Sequence, residues 1–94
     1  MDSIFTVTTL TPLGKKHCSR AVGWYPTLEE AKETVINNSC DIQELLYTYA
    51  VIEEVGPHLY PDIKTEVWFE WKDGKFCPID KPQEFWGLCN WSMG

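Results

Sequence analysis

Residues 3–10, Ser-Ile-Phe-Thr-Val-Thr-Thr-Leu, are β-branched or aromatic almost throughout. Phe5, Val7 and Thr9 fall on one face, and Ile4, Thr6, Thr8 and Leu10 on the other. The alternation predicts a strand buried mainly on one side. Pro12 and Gly14 break it into a loop, and residues 20–25, Arg-Ala-Val-Gly-Trp-Tyr, predict a second strand returning beside the first. Gly23 in mid-strand predicts a bulge or a close approach by a neighbour. Pro26 ends that strand. Thr27-Leu-Glu-Glu30 then reads as a capping box, in which the Thr27 hydroxyl accepts from the Glu30 amide and the Glu30 carboxylate returns to the Thr27 amide. Leu28, Ala31, Val35 and Ile36 recur at helical spacing as one apolar stripe. Glu29, Glu30 and Glu33 place negative charge near the positive end of the helix dipole. Asn37-Asn38-Ser39 stops the helix, because Asn tolerates the left-handed conformation.

Residues 46–55 alternate again, and the apolar-to-neutral run 48–52 predicts a central strand. Gly56-Pro57 ends it. Residues 65–72, Thr-Glu-Val-Trp-Phe-Glu-Trp-Lys, predict the next strand, and Asp73-Gly74 is a two-residue hairpin signal, since both turn positions need positive φ. Residues 75–79 form the return strand, which Pro78 confines to an edge. Beyond Lys81 no period is visible, yet Phe85, Trp86, Leu88, Cys89 and Trp91 make the tail apolar and predict that it packs. The order is β-β-α-β-β-β plus an ordered aromatic tail. This predicts a single α+β domain over residues 1–94, one helix against an antiparallel sheet of about five strands.

No apolar run approaches the roughly 18 residues of a membrane span, and residues 1–25 carry no basic-then-apolar leader pattern. The expected location is therefore the cytoplasm. The 94 residues carry 14 acidic and 8 basic side chains, a net charge of -6. That balance argues against general nucleic-acid binding, where phosphate neutralisation supplies the affinity. Lys15, Lys16 and Arg20 nevertheless crowd one loop around His17, either as a solvated stretch or as a local anion site. Cys18, Cys40, Cys77 and Cys89 match no zinc spacing and read as free, mostly buried thiols; no metal or cofactor is expected.

Gly23-Trp24-Tyr25-x-Thr27-Leu28-Glu29-Glu30-Ala31, with Val35, Asn38 and Asp41-Ile42-x-Glu44, resembles a family of short, mostly uncharacterised bacterial and phage proteins. So do Tyr47-x-Tyr49-Ala50-Val51-Ile52-Glu53-Glu54-Val55, Leu59-Tyr60-Pro61 and the terminal Asn90-Trp91-x-x-Gly94. Gly56-Pro57-His58 departs from the family's usual Gly beside Leu-Tyr-Pro. The resemblance implies a phage or mobile-element setting and brings no activity with it.

Catalysis has no visible constellation. His17 and Cys18 are neighbours without a defined geometry, Glu29 and Glu30 are explained by capping, and Glu53 and Glu54 read as one solvent-facing and one half-buried group at a strand end. The chain reads as no enzyme. Its unusual feature is five Trp, four Tyr and four Phe. Trp68 and Trp71 fall on opposite faces of their strand, so the hairpin is aromatic on both sides. One side meets the helix; the other must meet the tail, a second copy, a partner or a ligand.

Two functions follow. In the first, the chain sequesters a small anionic, nucleotide-like ligand, as a counter-defence sponge would. Lys15, Lys16 and Arg20 supply charge, and Trp24, Tyr25, Trp68, Trp86 and Trp91 supply stacking surfaces. In the second, an acidic aromatic module binds and inhibits a host protein. Either reading expects a homo-oligomer, most simply a two-fold dimer.

Overall fold

A computed structural model of the chain describes residues 3–11, 19–44, 47–56 and 63–85. These form β1 (Ile4–Leu10), β2 (Ser19–Tyr25), α1 (Leu28–Ile36), β3 (Tyr49–Val55), β4 (Ile63–Lys72) and β5 (Lys75–Ile79). Short 3-10 turns follow α1 at Ser39–Asp41 and β5 at Gln83–Phe85. The five strands make one sheet in the order β2-β1-β3-β4-β5, and every neighbouring pair is antiparallel. The α+β class is therefore as the periodicity predicts, with β3 at the centre and the Pro78-bearing β5 at one edge.

Local chemistry explains most of the boundaries. Asp73 and Gly74 sit at φ 52° and 80°, so the turn takes the two positive values that a tight hairpin needs. Lys72 and Lys75 pair directly across it. In β2 the register against β1 shifts between Val7 and Thr8. The extra residue is Val22, beside Gly23, where a bulge was one of the two expectations. A neighbour's close approach is not the reason for Gly23, since nothing lies within 4 Å of where its Cβ would stand.

Thr27 caps α1 with its hydroxyl, accepting from the Glu30 amide at 3.3 Å. The same hydroxyl donates to the Glu30 carboxylate at 3.1 Å, so the Glu30 side chain reaches the cap by its hydroxyl rather than its amide. Asn38, at φ 46°, turns the chain out of the helix. Ala31 and Val35 are buried, but Ile36 is 50% exposed and leaves the predicted stripe. At about 100° per residue it points well away from the Ala31–Val35 line.

The core lies on both faces of the sheet. Val7, Ala50, Ile52, Phe69 and Phe76 pack with Ala31 and Val35 of α1. On the opposite face Leu10, Val51 and Trp68 pack with Phe85. Full burial of each valine, leucine, isoleucine or phenylalanine among them stabilises by about 1.5–3 kcal/mol relative to exposure. β1 is consequently buried on both sides, Thr6 and Thr8 included, and not mainly on one as its alternation predicts. The face of Trp68 is met by the chain itself, through the turn that carries Phe85. No helix among the described residues is long and apolar enough to cross a membrane.

Candidate functional site

Among the described residues β2 ends the sheet, and its residues Arg20, Ala21, Gly23 and Trp24 are exposed. Trp24 pairs with Thr6 on the face away from α1 and keeps 58% of its surface in solvent. Its neighbour Tyr25 pairs with Phe5 on the other face and packs against the core under α1. Alternation along the strand thus separates two aromatic rings that adjoin in sequence.

Alongside β2, on the α1 side, runs an open groove of about 380 Å³ lined by Arg20, Ala21, Val22, Cys40, Asp41, Ile42 and Glu44. It continues into a smaller hollow of about 100 Å³ between Gly23 and Tyr25 on one side and Thr34 and Ser39 on the other. The far wall is built by an unusual run of backbone. Asn38, Cys40, Asp41 and Glu44 all have positive φ, between 46° and 55°. Non-glycine residues held there cost about 1–3 kcal/mol each, so the surroundings must hold them. Asn38 does much of this: its side-chain oxygen accepts from the Gln43 amide at 2.9 Å, and its amide nitrogen donates to Asp41 Oδ1 at 3.2 Å. Gln43 is itself buried and donates through Nε2 to the Tyr47 carbonyl at 3.1 Å.

An ion pair ties the two walls. Arg20 Nη1 donates to both carboxylate oxygens of Glu44, at 3.0 and 2.9 Å. With side chains 61% and 38% exposed, the pair is worth about 0–1 kcal/mol to stability. Its larger effect is on the field: Arg20 meets the groove with its charge already compensated, and Asp41 leaves the lining net negative.

The sequence-predicted residues therefore separate. Arg20, Trp24 and Tyr25 come together on β2. Trp68 is 2% exposed and lies near the other end of the sheet, stacked on Phe85 and donating from Nε1 to Glu66 at 3.0 Å. It is a core residue and offers no open stacking face; Lys81 lies 6.0 Å over its ring and pairs with Glu66 at 3.0 Å. Lys15, Lys16, Trp86 and Trp91 lie outside the described residues, as do His17, Cys18, His58 and Cys89. Cys40 and Cys77 are free thiols, exposed and half-buried respectively, rather than buried. The carboxylates at the end of β3 are also more enclosed than predicted. Glu53 is fully buried, while Glu54 accepts from Ser3 at 2.8 Å and Thr65 at 3.0 Å. Among the described residues no group of three or more His, Cys, Asp or Glu is placed to hold a metal ion.

Sequence reasoning missed Val22, Cys40, Asp41, Ile42 and Glu44 as groove residues. The available signal was Asn37-Asn38-Ser39 followed by Asp41, a concentration of residues that form turns and tolerate the left-handed region. No protein-family model, curated protein or solved structure matches this chain.

Proposed function

We propose that this chain is a non-catalytic interaction module that binds a protein partner at the open edge of its sheet. The observation that carries the reading is Trp24, 58% exposed on the outermost strand. Trp is the residue most enriched among interface anchors, since one ring removes a large apolar area from water with little loss of conformational freedom. The net charge of -6 steers such a surface toward a basic partner and repels acidic ones. In a phage setting, the natural use of such a module is to occupy a basic surface of a host protein.

The sponge reading asks Arg20 to serve a phosphate, and Glu44 already claims that guanidinium. An anion arriving there displaces a carboxylate or accepts a neutralised site, so the partner reading takes precedence. Selecting random linear peptides from a display library on the full chain and on Trp24→Ala tests the choice. Enrichment of cationic peptides on the wild type, lost in Trp24→Ala, supports the module. Equal enrichment on both proteins overturns it. A rise in Tm with mono- or cyclic nucleotides, and no peptide enrichment, returns the assignment to the small anion.

A further inference from the structure

The edge strand and the groove beside it bear on how a partner is held. In the outermost strand, alternate backbone N–H and C=O groups point away from the sheet. Among the described residues no strand pairs with the outer side of β2. The opposite edge is blunted by Pro78, which has no donor to offer. β2 carries no proline, and its single charge, Arg20, is drawn aside by Glu44. Directly alongside lies the groove, floored by Val22 and Ile42 and acidic at Asp41. An extended chain laid against β2 finds main-chain partners along the strand, while every second side chain drops between β2 and the α1 side.

Resting on the module reading above, we infer that the partner is captured by strand addition: an extended, cationic segment of another protein becomes a sixth strand beside β2. The main chain supplies affinity, and the side chains entering the groove supply choice. Charge selects this occupant over a second copy of the chain. Each copy carries a net charge of -6, so self-association brings like charge together, whereas a lysine- or arginine-bearing segment meets Asp41 with opposite charge.

The test uses the full chain labelled for NMR and a blocked hexapeptide of alternating lysine and valine. Two controls accompany it: its glutamate–valine counterpart, and the same lysine–valine peptide N-methylated at every residue. Strand addition predicts shifts confined to β2 and residues 38–44, with slowed amide exchange at alternate β2 positions. The N-methylated peptide, which keeps side chains and charge but has no backbone donors, should bind at least tenfold more weakly. Asp41→Asn should weaken the lysine–valine peptide severalfold. Equal binding by the N-methylated or the glutamate peptide, or perturbations elsewhere in the sheet, overturns the inference. A display-selected peptide that needs Trp24 yet leaves the β2 amides unprotected overturns strand addition and retains the module. Failure of every peptide overturns both.

Discussion

The rings of Trp68 and Phe85 stack with centroids 5.0 Å apart and planes 20° from parallel. Tyr49 meets the Phe85 ring edge-on at 5.4 Å. Two strands and a 3-10 turn thereby share one aromatic cluster on the face of the sheet opposite α1. Phe85 closes that cluster, and Phe85→Ala should destabilise the protein by about 3–5 kcal/mol through lost burial and an unfilled cavity. Phe85→Leu, which refills most of that space, should recover more than half of the loss. Urea denaturation of the two variants measures this directly, and equal midpoints for Phe85→Ala and wild type would contradict the packing.

Thr8 is fully buried, and its hydroxyl has no hydrogen-bond partner among the described residues. A buried polar atom left in that condition costs about 1–3 kcal/mol. Thr8→Val exchanges the hydroxyl for a methyl group of similar size in a strand that favours β-branched residues, so it should stabilise the protein by about 1 kcal/mol. An unchanged or lowered Tm would show that the hydroxyl is satisfied in solution.

Tyr49 gives the alkaline limb of stability a definite sign. Burial raises its phenol above the ordinary 10.0, and the carboxylates of Glu70 and Glu84 raise it further, against a smaller opposing effect of Lys72. Above pH 10 the unfolded chain releases the phenolic proton while the folded chain retains it. The unfolded state then binds fewer protons, so folding stability is complete below pH 10 and falls as pH climbs toward the folded value. Tyr49→Phe should flatten this decline. Denaturation midpoints for both proteins across the alkaline range decide it; parallel curves would remove Tyr49 as the cause.

Two local devices are open to simple substitution. Thr27→Ala should cost about 1 kcal/mol by removing the acceptor for the Glu30 amide, and Thr27→Ser should restore it. Gly74→Val places a β-branched side chain at φ 80° and should cost about 1 kcal/mol or more. A midpoint unmoved by Thr27→Ala would mean that α1 is held by packing alone, and tolerance of Gly74→Val would mean that the turn rearranges.

What was legible in the sequence was whatever a few adjacent residues decide. Thr27 with Glu30, Asp73 with Gly74, Pro78 and the Val22–Gly23 bulge each act within one turn or one strand, and their neighbours in sequence state their purpose. The second buried face was legible only in part: Trp68 called for cover, with the tail that begins at Phe85 as one of four candidates, whereas β1, with Thr6 and Thr8, read as buried mainly on one side. The groove was hidden for a different reason. Residues 38–44 have no hydrophobic period, and their left-handed turns are specified by the hydrogen bonds of one side chain, Asn38, with partners three and five residues away. Arg20 was visible as a cation, whereas its capture by Glu44 joins residues 24 apart in the chain.

The strand order also carries a kinetic consequence. β4 and β5 are closed by two residues, while the seam between β1 and β3 joins positions such as Thr6 and Glu53, 47 residues apart. Loop-closure entropy favours the short connection, and hairpins with such turns form in about 1–10 μs. The C-terminal half of the sheet should therefore be organised in the folding transition state, with φ-values highest around Asp73–Gly74 and low across the β1–β3 seam. On that route the N-terminal hairpin joins last and opens first. The strand that carries Trp24 then belongs to the part of the molecule with the shortest structural lifetime.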